Sequence, residues 1–134
     1  MKKIILIVDD ESFICRLLKE VLSDSEPDRE IVTAGNGVEA IKLIETGFKP
    51  DLILSDVRMA GMDGVMMAEE IRKKGLGTDI IFMSGDTGSY ALSDLKKYSP
   101  HELIEKPILD LGVFSKTIQD ILSREATRKT PVVA

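Results

Sequence analysis

The sequence predicts an α/β domain built on a doubly wound, five-stranded parallel sheet in the order 2-1-3-4-5. Three observations carry that expectation. Short apolar runs rich in Ile, Val and Leu alternate with longer segments of helical period, the pattern of βαβ units. The runs are close to continuously hydrophobic, as strands covered on both faces are. Polar, chemistry-bearing side chains follow one run after another, at the edge where open α/β sheets build their sites.

Lys3–Val8 is the first strand. Glu11–Ser23 follows as a helix with Ile14, Leu17, Leu18, Val21 and Leu22 on one stripe. Asp24–Asp28 is a polar loop, Glu30–Ala34 a short second strand, and Gly35-Asn36-Gly37 a turn. Val38–Thr46 is the second helix, with Val38, Ile41 and Ile44 at helical spacing. After Pro50, Asp51–Ser55 is the third strand. The loop Ala60–Gly64 leads into a helix through Lys74, with Asp63 as its N-cap and Gly75-Leu76-Gly77 as its end. Asp79–Met83 is the fourth strand. Thr87–Tyr98 is a helix of weaker periodicity, carrying Tyr90, Ala91, Leu92 and Leu95. Glu102–Glu105 is a short fifth strand. Leu109–Glu125 is the last helix, with Leu111, Phe114, Ile118, Ile121 and Leu122 inward. Residues 1–125 read as one domain, and 126–134, aperiodic and containing Pro131, as a flexible C-terminal tail. Right-handed crossovers and short connections select the strand order, which makes the first and third strands neighbours at the switch point.

The 134 residues suffice for one hydrophobic core. A net charge of −5 with mixed signs argues against direct nucleic-acid binding, which needs a basic stripe. The single Cys15 forms no internal disulfide and fits a reducing compartment; within its apolar pattern it reads as a packed thiol. The apolar run after Lys2-Lys3 is too short for a signal peptide and is broken by Asp9-Asp10-Glu11. No stretch is long enough to span a membrane, and the expected location is cytoplasmic.

Asp9 and Asp10 follow the first run, Asp56 the third, Ser84 the fourth and Lys106 the fifth. On the expected sheet, three carboxylates, a hydroxyl and an ammonium converge on one crevice. Carboxylates this close repel, so at least one resists ionising unless a cation joins them. Magnesium suits such a set, with one or two carboxylates and a phosphoryl oxygen as ligands. A carboxylate is also a nucleophile toward phosphorus. Lys106 would neutralise a phosphoryl oxygen and Ser84 would donate a hydrogen bond to another. No phosphate-cradling loop or dinucleotide fingerprint is present, so the phosphoryl donor comes from outside. Each residue taken alone has a plainer role: Asp9-Asp10 as helix caps, Ser84 before Gly85 as a turn residue, Lys106 before Pro107 as a surface lysine. The conjunction favours the site. Met59, Met62, Met66 and Met67 read as core and loop filler, and His101 as a loop residue.

These residues resemble the receiver domain of the bacterial response-regulator family. The matching segments are Ile7–Glu11, Ala34–Ala40, Asp51–Asp56, Met62-Asp63-Gly64, Met83-Ser84-Gly85 and Glu105-Lys106-Pro107, in family order from residue 3 to about 124. The resemblance implies a flavodoxin-like (βα)5 fold and a phosphoacceptor at Asp56. It implies magnesium held by Asp10 directly, Asp9 largely through water, Asp56 and the Arg58 carbonyl. Lys106 then binds phosphate, with a cis bond to Pro107, and Ser84 is the switch hydroxyl. The implied donor is a sensor histidine kinase or histidine phosphotransfer protein. Phosphorylation would reshape the face of the fourth helix, fifth strand and fifth helix, with Tyr90, Leu95, Leu103, Ile108 and Leu111 as contributors; a homodimer through it stays open.

Three positions depart from the family pattern. Leu103 stands where an aromatic switch residue is common, Gly85 where alanine is frequent, and Ala60 where proline is common. Arg58 and Asp86 either pair across the mouth to shield an acyl phosphate or are unrelated surface charges. A non-phosphorylated interaction module on the same fold would lack an acidic or lysine position, and none is lost. An aspartate phosphohydrolase would place its nucleophile at the first strand. A flavin-binding protein fits the fold class, yet four Phe, two Tyr and no Trp leave little for ring stacking. Two arrangements remain: a protein that docks on an effector by itself, or a piece of a longer regulator with an output domain.

Overall fold

All five apolar runs become strands of one parallel sheet in the order β2-β1-β3-β4-β5. The computed structural model describes residues 2–25, 28–85, 90–99 and 103–129. The strands are β1 (Ile4–Val8), β2 (Glu30–Ala34), β3 (Leu52–Asp56), β4 (Ile80–Ser84) and β5 (Ile104–Glu105). The helices are α1 (Ser12–Ser25), α2 (Gly37–Glu45), α3 (Gly64–Lys73), α4 (Leu92–Lys96) and α5 (Leu111–Lys129).

Alternation along the buried strands divides the core in two. Leu6, Val8, Ile53, Ile80 and Phe82 face Ala40 and Ile41 of α2, Met67 and Ile71 of α3 and Leu95 of α4. Ile5, Ile7, Leu52, Leu54, Ile81 and Met83 face Cys15, Leu18 and Leu22 of α1 and Phe114, Ile118 and Ile121 of α5. Both faces are therefore covered, which is why β1, β3 and β4 read as unbroken apolar runs. In α2 the burial rests on Ala40 and Ile41, while Val38, expected inward, is 46% exposed.

Several expected boundaries move. α1 takes in Asp24 and Ser25, and α5 continues past Glu125 to Lys129. α4 is shorter than expected; Thr87 lies outside the described residues, and Tyr90 and Ala91 precede the helix. Ala91 is extended, and its N–H is taken at 2.9 Å by the Asp94 carboxylate, which sets the start. At the other end the Tyr98 carbonyl accepts from the Arg72 guanidinium at 3.0 Å and from the Ile80 N–H at 3.4 Å, so the chain there is tied to α3 and β4 instead of continuing the helix. β5 is reduced to two residues, with Leu103 outside the strand and Glu102 outside the described residues. Asp63 caps α3 as expected, its carboxylate accepting the Met66 N–H at 2.8 Å.

Candidate phosphoryl and metal site

Parallel pairing brings the C-terminal ends of β1, β3, β4 and β5 to one edge. Val8 is level with Ser55, Asp56 with Met83, and Ser84 with Glu105. Asp9 therefore leaves β1 beside the end of β3, and its N–H stays bonded to the Ala34 carbonyl of β2 at 3.1 Å. Lys106 leaves β5 beside Ser84, whose carbonyl accepts its N–H at 3.1 Å. Its peptide bond to Pro107 is cis.

Lys106 closes the site. Its ammonium donates to Asp9 Oδ2 at 2.8 Å, to Asp56 Oδ2 at 3.3 Å and to Glu11 Oε1 at 3.3 Å. Asp9 is fully buried, and its second oxygen accepts the Glu11 N–H at 2.9 Å. Asp9 is thus both a turn-stabilising residue at the entry to α1 and a member of the acidic site; the two readings of the sequence coexist. Asp56 and Ser84 are buried. Among the described residues no buried side-chain nitrogen or oxygen lacks a partner.

The charges shape each other. Burial pushes the Asp56 carboxyl above the ordinary range, the Asp9 and Asp10 carboxylates push it further, and Lys106 only partly offsets them. Burial pulls Lys106 down, but the hydrogen bond and charge of Asp9 and the charge of Asp56 outweigh it, leaving a raised ammonium that is always charged at neutral pH. The Cys15 thiol, buried and facing the Asp9 charge, is pushed up to about 11, which suits the packed, inert thiol expected.

For Asp56 a raised pKa favours folding with the proton on. That advantage is present below the ordinary carboxylate range and is lost as pH rises through the raised value. Asp56→Asn is accordingly expected to stabilise the metal-free fold by about 1 kcal/mol near neutral pH. The gain should shrink at a mildly acidic pH, as the wild-type carboxyl, raised by burial, takes up its proton. Urea midpoints in EDTA at both pH values check this; a loss of stability at neutral pH would count against it.

Asp9, Glu11 and Asp56 each bring one carboxylate oxygen within 4.8 Å of the other two. Such a set of hard oxygen donors fits a magnesium-sized divalent cation. Asp10 lies outside that triplet and is exposed, although its charge reaches Asp56. Arg58 follows in the loop after β3 with an exposed side chain. Asp86, its partner in one of the two readings of the sequence, lies outside the described residues, as does His101. Glu11 was not among the expected site residues. The available signal was its position two residues after Asp9, which a helix-entry role explained equally well.

Gly64 is a second contributor whose role the sequence did not disclose. Its N–H donates to the Val57 carbonyl at 2.8 Å, and a Cβ there would lie 2.3 Å from the Asp56 carbonyl oxygen. The start of α3 is thereby pressed against the backbone that carries Asp56. Gly85 sits similarly near the Lys106 carbonyl, at 3.2 Å from a notional Cβ, so a small residue after Ser84 has a steric reason.

Comparison with known proteins gives the same picture. Residues 5–119 match the response regulator receiver domain family. The chain is 32% identical over 124 residues to the chemotaxis protein CheY of Halobacterium salinarum, covering 92% of this chain and 99% of that one. It is 31% identical over 103 residues to the probable C4-dicarboxylate response regulator DctR of Bacillus subtilis, covering 77% of this chain and 45% of the relative. The chain likewise spans less than half the length of several other curated relatives. The signal receiver domain of a putative Luxo repressor protein from Vibrio parahaemolyticus superposes with a TM-score of 0.84 at 22% identity, covering all of both chains, which supports the fold. With its sheet order, its acid and lysine edge and this match, the chain belongs to the response regulator receiver domain family.

Proposed function

We propose that Asp56 is the phosphoacceptor of this receiver and that it takes its phosphoryl group from a phosphohistidine on a sensor histidine kinase or histidine phosphotransfer protein. The observation that carries the reading is the meeting of Asp9, Asp56 and Lys106 at one sheet edge, although Asp9 and Lys106 are 97 positions apart in sequence. A carboxylate oxygen of Asp56 attacks phosphorus, the new O–P bond forms as the P–N bond breaks, and the imidazole nitrogen keeps the electron pair and takes a proton from water. Lys106 neutralises a phosphoryl oxygen from its place beside Asp56, and Ser84, at the end of β4, donates its hydroxyl to another. Asp9, Asp10, Asp56 and the Arg58 carbonyl would hold magnesium, with Glu11 within reach of the same place. When bound, that ion screens the repulsion between the acidic edge and the incoming phosphoryl group.

Every acidic and lysine position is retained, which disfavours a non-phosphorylated interaction module. Phosphorylation then biases the α4–β5–α5 face. Tyr90, Leu103, Ile108 and Leu111 are half-buried there, Leu92 is exposed, and Leu95 is buried beneath. Among the described residues no helix is long and apolar enough to cross a membrane, and we assign the protein to the cytoplasm. The receiver is assigned to residues 1–125, with α5 running on beyond it; a downstream effector or an attached output domain would read the face.

Incubation with acetyl phosphate and magnesium, read by intact mass, tests the central claim. The expected result is a gain of one phosphoryl group, lost in Asp56→Asn and suppressed by EDTA. A folded sample that gains nothing overturns it.

A further inference from the structure

The carboxylate of Asp63 serves two elements at once. Its Oδ1 accepts the Met66 N–H at 2.8 Å and so caps α3. Its Oδ2 accepts the hydroxyl of Tyr90, also at 2.8 Å, from the segment that enters α4. The hydroxyl is correspondingly reluctant to ionise, pushed up to about 12 first by this hydrogen bond to a carboxylate. The α3 end of this link is rigid, because Gly64 is pressed on the Asp56 carbonyl and bonded to Val57. The Tyr90 ring packs against the same core cluster as Leu103, Phe82 and Leu95.

α4 has five residues and buries one of them, Leu95. Its C-terminal side is well anchored. The Leu95 carbonyl accepts the Tyr98 and Ser99 N–H groups, and the Tyr98 carbonyl is held by Arg72. Its N-terminal side is tied across to α3 through Tyr90. Any rearrangement of α4 is therefore expected to pivot at Tyr98 and to open at Tyr90. Ser84, whose hydroxyl would turn toward a phosphoryl group on Asp56, and Tyr90 belong to the same β4-to-α4 connection, six positions apart in sequence.

We propose that Tyr90 is a positioning residue: its hydroxyl latches the start of α4 to Asp63 in the unphosphorylated chain and so opposes phosphorylation at Asp56. The proposal rests on Asp56 being the phosphoacceptor. Coupling is reciprocal. If phosphorylation favours the unlatched form, removing the latch must favour the phosphoryl-bearing form. Leu103 carries no aromatic ring to relocate beside β5, and the Tyr90 hydroxyl supplies a breakable contact at the entry to α4.

The test is calorimetric titration of the full chain with beryllium fluoride and magnesium, a non-covalent phosphoryl mimic. Tyr90→Phe keeps the ring and removes only the hydroxyl. It is expected to bind the mimic about fivefold more tightly than the wild type. Asp63→Ser, which keeps an N-cap oxygen for α3, should give a similar gain, and the double variant no further gain. A merely structural hydrogen bond would lower stability without tightening the mimic. Equal or weaker binding by Tyr90→Phe beside a wild type that binds overturns the latch alone. A wild type that takes no mimic overturns the phosphoacceptor reading, and the latch with it.

Discussion

Lys106→Met is expected to destabilise the metal-free chain by about 3 kcal/mol near neutral pH, the scale on which a buried ion pair loses one partner. Asp9 is fully buried and spends one oxygen on the Lys106 ammonium at 2.8 Å. Without that ammonium, Asp9 and Asp56 face each other with no cation between them. The Met side chain keeps most of the lysine stem, so the loss reports charge and not packing. The lower end of the range applies because the third partner, Glu11, is 61% exposed and is compensated by water.

The pH dependence separates this account from a packing defect. Lys106 is raised in the folded state, so on the alkaline side its contribution holds up to the ordinary lysine value and is lost as pH rises through the raised one. The deficit of the variant should therefore hold across neutral pH. It should shrink on acidification, as the stranded carboxylates take up protons. Magnesium should restore part of it, since an ion bound to the native state stabilises by mass action. Urea unfolding of both chains in EDTA, then with magnesium, gives all three quantities. A neutral-pH difference below about 0.5 kcal/mol would mean that Asp9 is not held by this pair.

The second large effect belongs to Gly64. Gly64→Ala would set a methyl 2.3 Å from the Asp56 carbonyl oxygen and 3.2 Å from the Ser55 hydroxyl oxygen. Both neighbours belong to the buried end of β3, so neither can turn aside as an exposed side chain would. Overpacking of this kind costs about 1–3 kcal/mol and often more against backbone. We expect a loss of about 3 kcal/mol in urea unfolding. We also expect phosphorylation by acetyl phosphate to slow more than stability alone explains, because relief of the clash must push α3 off Asp56 or shift Asp56 itself. Wild-type stability and labelling in this variant would show that α3 is not seated on the Asp56 backbone.

Much of the architecture could be read directly. Alternating apolar runs and helical stripes, with right-handed crossovers, leave one economical strand order, and the structure has it. The β2 boundaries agree residue for residue, because Glu30–Ala34 lies between a polar loop and a glycine turn. α4 was the least legible element. Its apolar residues are too few to define a stripe, and its ends are set by Asp94 at one side and by Arg72 of another helix at the other.

The amino-acid order by itself determined the fold class, the strand sequence and the edge on which Asp9, Asp56, Ser84 and Lys106 gather. Those properties follow from periodicity and chain connectivity, which are local. Only the tertiary structure decided that Lys106 sits nearer Asp9 than Asp56, that Glu11 and not Asp10 completes the close carboxylate triplet, that Gly64 presses on Asp56, and that Tyr90 reaches Asp63. Choices among such partners turn on differences of half an ångström and on the direction of a side chain, and neither leaves a trace in residue spacing.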